Sequence, residues 1–205
     1  MINRETANVR KLVGCAMLSA VASILMMFDF SVPLMPGFIK MDVSDLPALI
    51  GSFAYGPMSG VVISLLKNLL HFITKGTSTG GVGELSNFLL ACFFTVPAGL
   101  IYSRMKTKTG AVIGSVAGAV CMAVLSVFSN YFLVYPVYTN FMPMEAIIGA
   151  YQAINPKVQN LWQALIMFNM PFTFVKGMLT ALICMLIYKP LSPILKGSAS
   201  GKKTS

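Results

Sequence analysis

The chain has 205 residues, 56% of them apolar and only 10% charged, with mean hydropathy +0.77. Soluble domains carry about 25% charged residues, so this composition excludes a soluble globular protein and fits one membrane domain of roughly six spans, with no room for a separate soluble catalytic domain. The formal net charge is +9, yet no basic face with aromatic platforms lies outside the apolar segments, which excludes nucleic acid as a partner.

The positive charges gather at Arg4, Arg10 and Lys11, at Arg104, Lys106 and Lys108, and at Lys189, Lys196, Lys202 and Lys203. Lys and Arg accumulate on the cytoplasmic side of membrane segments, so both termini and the middle loop are predicted inside. The first span covers about residues 9–28. Basic residues precede its apolar run, as in a signal peptide, but no A-x-A cleavage site follows, and it reads as a retained span. Ala16, Ala20 and Ser23, with Ser19 beside them, form a small-xxx-small seam that permits close helix approach. Internal packing and docking to a separate subunit both account for that seam.

Residues 29–44 form an outer loop broken by Pro33, Pro36 and Gly37. Phe38, Ile39 and Met41 are apolar enough to pack downward, so the loop reads either as a cap over a cavity or as a plain connection. Ser44 or Asp45 as N-cap and Pro47 in the first turn open a second helix over about residues 45–55, short for a span. After the Gly56-Pro57 turn a third helix covers about residues 58–74. Ser64, Lys67 or Asn68, His71 and Lys75 recur on one face of it, which must point into a bundle or toward water. His71 is the one histidine and has no second ligand at metal spacing, so no metal site is predicted and a hydrogen-bonded structural role is.

The run GTSTGGVG over residues 76–83 does not match G-x-x-x-x-G-K-[ST] and reads as a flexible loop able to approach a ligand closely. A fourth helix follows over about residues 82–102. Glu84 suits its N-terminus electrostatically, and Asn87 lies one turn deeper. In the fifth helix, about residues 111–135, Gly110, Gly114 and Gly118 with Ala117 and Ala119 mark a tightly packing inner half, and Ser126 and Asn130 share the outer half. Tyr131, Tyr135 and Tyr138 read either as an interfacial belt or as flat walls for a ligand. An outer loop with a short amphipathic helix near residues 144–153 leads to Trp162, an interfacial anchor for a sixth helix over about residues 162–189. Residues 197–205 read as a polar, disordered tail.

Lys176 stands in the middle of that last apolar stretch. An ammonium at such depth faces a partner, a cavity or a substrate, and Asn169, Thr173 and Lys176 share one helical face. No acid is expected around Lys176, so it reads as a hydrogen-bond donor and not as part of a proton relay. Cys15, Cys92, Cys121 and Cys184 all fall in apolar segments without CxxC or metal spacing, and read as packing residues. No internal repeat appears, which leaves inverted-repeat transporter folds unsupported. With no HExxH, no GxSxG, no Walker A and six acidic residues in all, neither catalysis nor autonomous pumping is expected. A mostly apolar pocket with a few placed amides and one lysine suits an organic molecule.

FIKMDVSDLPALIGSFAYGP over Phe38 to Pro57, KNLLHFIT over Lys67 to Thr74, GVGELSNFL over Gly81 to Leu89, NYFLVYPVY over Asn130 to Tyr138 and PFTFVKG over Pro171 to Gly177 resemble, in the same order, the riboflavin-specific substrate-binding subunits of energy-coupling factor (ECF) transporters. The resemblance implies an all-α bundle of six membrane helices with both termini cytoplasmic, one domain over residues 1–205, in a bacterial plasma membrane. It implies a non-catalytic subunit without cofactor that binds riboflavin beneath the first outer loop. A transmembrane coupling subunit and two ATPases would drive release inward. Carried onto matching motifs, Asn130 and Lys176 are the expected polar ligand contacts. Asn87 and the Lys40, Met41, Asp42 segment are their expected neighbours, and Ala16 and Ala20 match the Ala-xxx-Ala pattern that meets the coupling subunit. Thr173, Glu84 and Phe38 are added as site residues from the polar residues converging on the outer half of the bundle and the loop above it. Another vitamin, such as pantothenate or thiamine, and a membrane-embedded enzyme using Lys176, Glu84 and His71 are the alternatives.

Overall fold

The structure, a computed structural model, describes residues 4–77 and 80–195; the tail predicted over residues 197–205 lies outside them. Helix α1 spans Arg4–Met27, α2 Asp45–Tyr55, α3 Pro57–Lys75 and α4 Val82–Arg104. Helix α5 (Lys108–Ser129) runs through a π turn at Asn130–Val134 into α6 (Tyr135–Tyr138). After α7 (Met144–Gln152), helix α8 (Leu161–Ala164) passes through a second π turn at Leu165–Asn169 into α9 (Met170–Leu195). The loop after α1 carries two-residue strands, β1 (Phe30–Ser31) and β2 (Lys40–Met41), paired antiparallel with Phe30 opposite Met41.

Five of these rods are long and apolar enough to cross a membrane. Helix α2 is not among them: eleven residues rise about 16 Å against an apolar layer of about 30 Å. Among the described residues, then, five helices are of full span length, and α2, expected from sequence to be short for a span, lies between α1 and α3. Most of α2, from Asp45 through Phe53, is buried, so it is wrapped by the long helices and not by lipid. Gly56 ends it at φ +97°, a left-handed conformation that glycine tolerates, and Pro57 starts α3 where a missing N–H costs nothing.

The core joins Leu49 and Phe53 of α2 to Phe94, Ala98 and Tyr102 of α4, Ala119 and Met122 of α5, and Cys184 of α9. The glycine-rich half of α5 lies against α4 so closely that a Cβ on Gly114 would stand 2.7 Å from the Ala98 carbonyl oxygen. Such contact is the gain that small residues give helices packed in lipid. On α1 the inward face is Cys15, Ser19, Ala22, Ser23 and Met26, whereas Ala16 and Ala20 point outward with Leu12, Met17 and Ile24. The small-residue seam is thus split: its serines pack inside, and its alanines are left on the outer face.

Both π turns precede proline by the same interval. Tyr135 N–H bonds to the Asn130 carbonyl ahead of Pro136, and Met170 N–H bonds to the Leu165 carbonyl ahead of Pro171. A proline ring clashes with the carbonyl four residues earlier and offers it no donor. Widening the helix by one residue relieves that clash. Each π turn also bounds an asparagine, Asn130 at the start of one and Asn169 at the end of the other.

Candidate functional site

Helices α1, α3 and α5–α6 end, and α4 and α9 begin, around a cavity of about 660 Å³ roofed by the loop between α1 and α2. Phe38, Ile39, Val134, Tyr135, Tyr138 and Phe172 give it apolar and aromatic walls. Asp42, Asn87, Asn130, Asn169, Thr173 and Lys176 give it polar groups, and Asp29, Lys40, His71, Lys75 and Glu84 add charge toward the loops. Of the residues expected from sequence, Asn130, Lys176, Asn87, Thr173, Glu84, Lys40, Asp42 and Phe38 all line this one space.

Met41 does not. Successive residues of a strand face opposite sides: Lys40 reaches the cavity and pairs with Asp29 at 3.0 Å, while Met41 is buried away from it. Ala16 and Ala20 also lie outside the cavity, on the outward face of α1.

The roof loop is tied down by charge. Asp29 accepts a hydrogen bond from Lys75 at 2.7 Å as well as its ion pair with Lys40. Partial burial alone would raise the Asp29 pKa, but the hydrogen bonds from Lys75 and Lys40 hold it below the ordinary carboxylate range. Phe38 reaches down from the same loop, its ring centroid 5.9 Å from that of Tyr138 and 6.1 Å from that of Tyr151.

The acid-free reading of Lys176 is overturned. Its Nζ donates to Asp42 Oδ2 at 3.0 Å and stands 3.5 Å from Asp45 Oδ2. Asp42 lies 134 residues away, so no helical spacing could have revealed the pair. Burial would raise the Asp42 pKa, but Lys176 and then Lys67, with the Ser44 N–H, hold it well below the carboxylate range. Behind this pair Lys67, wholly buried, donates to Asp45 Oδ1 and to Ser44 Oγ. The polar face predicted on α3 does turn inward: Ser64, Lys67, Asn68 and His71 are all buried.

The amides are oriented by neighbours. Asn130 Oδ1 accepts from Ser86 Oγ at 3.3 Å, which leaves its NH2 for the cavity. Asn169 Oδ1 accepts from the Tyr151 hydroxyl at 2.6 Å, and Tyr151 shares a second short contact with the Tyr135 hydroxyl at 2.6 Å. Sequence reasoning missed Tyr151; its place on α7 gives no signal of a role in holding Asn169. Asn87 Oδ1 is buried with no hydrogen-bond partner among the described residues, an acceptor left for something in the cavity. His71 Nδ1 lies 3.3 Å from Glu84 Oε1, and Glu84 Oε2 accepts from Thr77 Oγ1 at 3.1 Å. Glu84 is therefore held by Thr77 of the α3–α4 loop and lies beside His71 of α3, and is more than a helix-end charge. Of the three tyrosines, Tyr131 belongs to a half-exposed cluster, its ring 5.2 Å from Trp162, while Tyr135 and Tyr138 are buried cavity walls.

Among the described residues no three His, Cys, Asp or Glu side chains gather to hold a metal ion. The four buried ions Asp42, Asp45, Lys67 and Lys176 sum to zero. The result is a neutral, partly aromatic chamber with donors and acceptors at fixed points, the kind of lining that suits an organic molecule.

Fold and site together define a multi-pass membrane protein built around a cavity of small-molecule size. The family model for the substrate-specific component of ECF transporters matches residues 10–188, and the chain belongs to that family. It is a transport component and not a catalyst. The riboflavin transporter FmnP of Bacillus subtilis (strain 168) is 31% identical over 193 residues, 94% of this chain and 97% of its own length. The riboflavin transporter RibU of Staphylococcus aureus (strain TCH60) is 30% identical over 188 residues, 91% and 93% of the two chains. A solved S component of a bacterial ECF transporter superposes with TM-score 0.72 at 27% identity, covering 93% of this chain and 99% of that one.

Proposed function

We propose that the chain captures riboflavin at the outer face of a bacterial plasma membrane and hands it inward as part of an ECF transporter. The carrying observation is the neutral, partly aromatic chamber of about 660 Å³ in a chain similar over nine-tenths of its length to riboflavin transporters. Pockets for organic ligands fall in the range of about 300–1,000 Å³. Riboflavin is uncharged, with a flat ring system, a uracil-like edge and a ribityl chain. Phe38, Val134 and Tyr138 suit the ring. The oriented NH2 groups of Asn130 and Asn169 suit carbonyl and ring-nitrogen acceptors, and the open Oδ1 of Asn87 suits an N–H or hydroxyl. Lys176 keeps Asp42 as its partner and offers a remaining N–H to the ligand; Thr173, Glu84, Lys40 and Asp42 complete the surroundings.

Residues 1–205 form one membrane domain in this reading, with both termini cytoplasmic. The helix directions support it: α1, α3 and α5–α6 run toward the cavity, so the start of α1, the Arg104–Lys108 turn and the end of α9 share the opposite end. The roof loop and short α2 together make the return pass between α1 and α3. Members of the family work with a coupling subunit and two ATPases, which supply the energy. Ala16 and Ala20, free on the outer face of α1, are the proposed contact for the coupling subunit.

Native mass spectrometry of the protein purified from cells tests the ligand. Riboflavin as the retained small molecule is expected. Pantothenate, thiamine or another solute in its place would overturn the assignment.

A further inference from the structure

Lys67 and Asp45 are both buried to within 1% of full burial, and neither lines the cavity. An ion pair in that position gives weak net stability, because both charges lose their water. Its geometry suggests a different use. Asp45 has two oxygens and two lysines near it: Oδ1 bonds Lys67, and Oδ2 stands 3.5 Å from Lys176. Lys176 sits closer to Asp42, at 3.0 Å. Lys67 also holds Ser44 Oγ at 2.7 Å, and the Ser44 N–H donates to Asp42 Oδ1 at 2.8 Å. The four charges thus alternate as Lys67, Asp45, Lys176 and Asp42, running from the closed core to the cavity wall.

We propose that Lys67 is a positioning residue for the capture site: by occupying Asp45 and Ser44 it leaves Lys176 to Asp42 and keeps the inner end of the cavity electrically neutral. The inference rests on the riboflavin reading given above. Without Lys67, two carboxylates compete for one ammonium. Asp45 then draws Lys176 toward the core, away from Asp42 and from the ligand, and the cavity gains one uncompensated negative charge. Removing Asp45 as well restores both the charge count and the Lys176–Asp42 pair. A lysine that merely filled space would show no such recovery.

The test compares riboflavin dissociation constants, by quenching of flavin fluorescence on the folded fraction of purified full-length protein, for wild type, Lys67→Met, Asp45→Asn and the double variant. Lys67→Met, through that competition, and Asp45→Asn, through leaving the Lys67 ammonium to compete with Lys176 for Asp42, are each expected to bind about tenfold to a hundredfold more weakly, and the double to return to within about threefold of wild type. Wild-type affinity in Lys67→Met, or a double variant as weak as its parents, overturns the proposal. Where Lys67→Met does not fold, Asp45→Asn against the double carries the same comparison, and equal weakness of the two overturns it. Absence of binding by wild type is a separate result: it removes the riboflavin reading and this inference with it.

Discussion

The Lys176 ammonium lies 3.0 Å from the Asp42 carboxylate, and this contact joins the loop that roofs the cavity to the helix that forms its far wall. Each partner neutralises the other at the cavity wall. Truncating Lys176 leaves Asp42 buried without its ammonium, at a cost of about 3–5 kcal/mol, and truncating Asp42 leaves Lys176 only its longer contact with Asp45 at 3.5 Å. Lys176→Met and Asp42→Asn are each expected to lower thermal stability by that order and to weaken riboflavin binding. The double variant should lose less than the sum, and a thermodynamic cycle on unfolding and on binding measures the coupling.

The amides of the cavity predict a different pattern. Asn130→Ala and Asn87→Ala remove polar groups that line the cavity, so each should weaken binding by about 1–3 kcal/mol. Their melting temperatures without ligand should stay near wild type. Calorimetric titration beside a melting curve separates the two effects.

Tyr151→Phe probes orientation without touching the cavity. The variant keeps the ring contact with Phe168 but removes the hydroxyl that fixes Asn169 Oδ1. A loss of about 0.5–1.5 kcal/mol in riboflavin affinity is expected, and it should vanish in an Asn169→Ala background.

The roof loop also makes a prediction in pH. Asp29 and Asp42 both have folded-state pKa values below the ordinary carboxylate range. A depressed folded value contributes stability that is present above the unfolded value of about 3.9 and is lost as pH falls through the folded one. The stability these two groups contribute should therefore be flat between about pH 8 and pH 5 and fade only below about pH 4. Melting curves across that window check it.

Much of this site was legible before any coordinates. The polar stripes on α3 and α9 follow helical spacing, and an amide or ammonium in an apolar helix has few places to go except inward. What spacing could not show was pairing across the chain. Asp42 and Lys176 meet only because the roof loop folds over the bundle, so Lys176 looked free of acids when it is not. Met41 was misplaced for a local reason: a two-residue strand sends neighbours to opposite sides. Helix α2 was visible as a helix, but its eleven residues become a buried half-span only once the longer helices close around it. Tyr151 gave no sign of itself, because its partner Asn169 lies on another element.

If Ala16 and Ala20 meet the coupling subunit as proposed, docking and capture should be separable by mutation. Ala16 and Ala20 lie on the outer face of α1, away from every residue of the cavity wall. Ala16→Trp is expected to leave riboflavin affinity unchanged and to abolish uptake in cells that carry the coupling subunit and ATPases. Uptake at the wild-type rate would remove the docking role.

The most direct test of the account is a fluorescence titration of riboflavin with purified wild-type protein. One site per chain, with flavin emission quenched on stacking against the aromatic wall, is the predicted result. Unquenched flavin at protein concentrations well above the riboflavin concentration would contradict it.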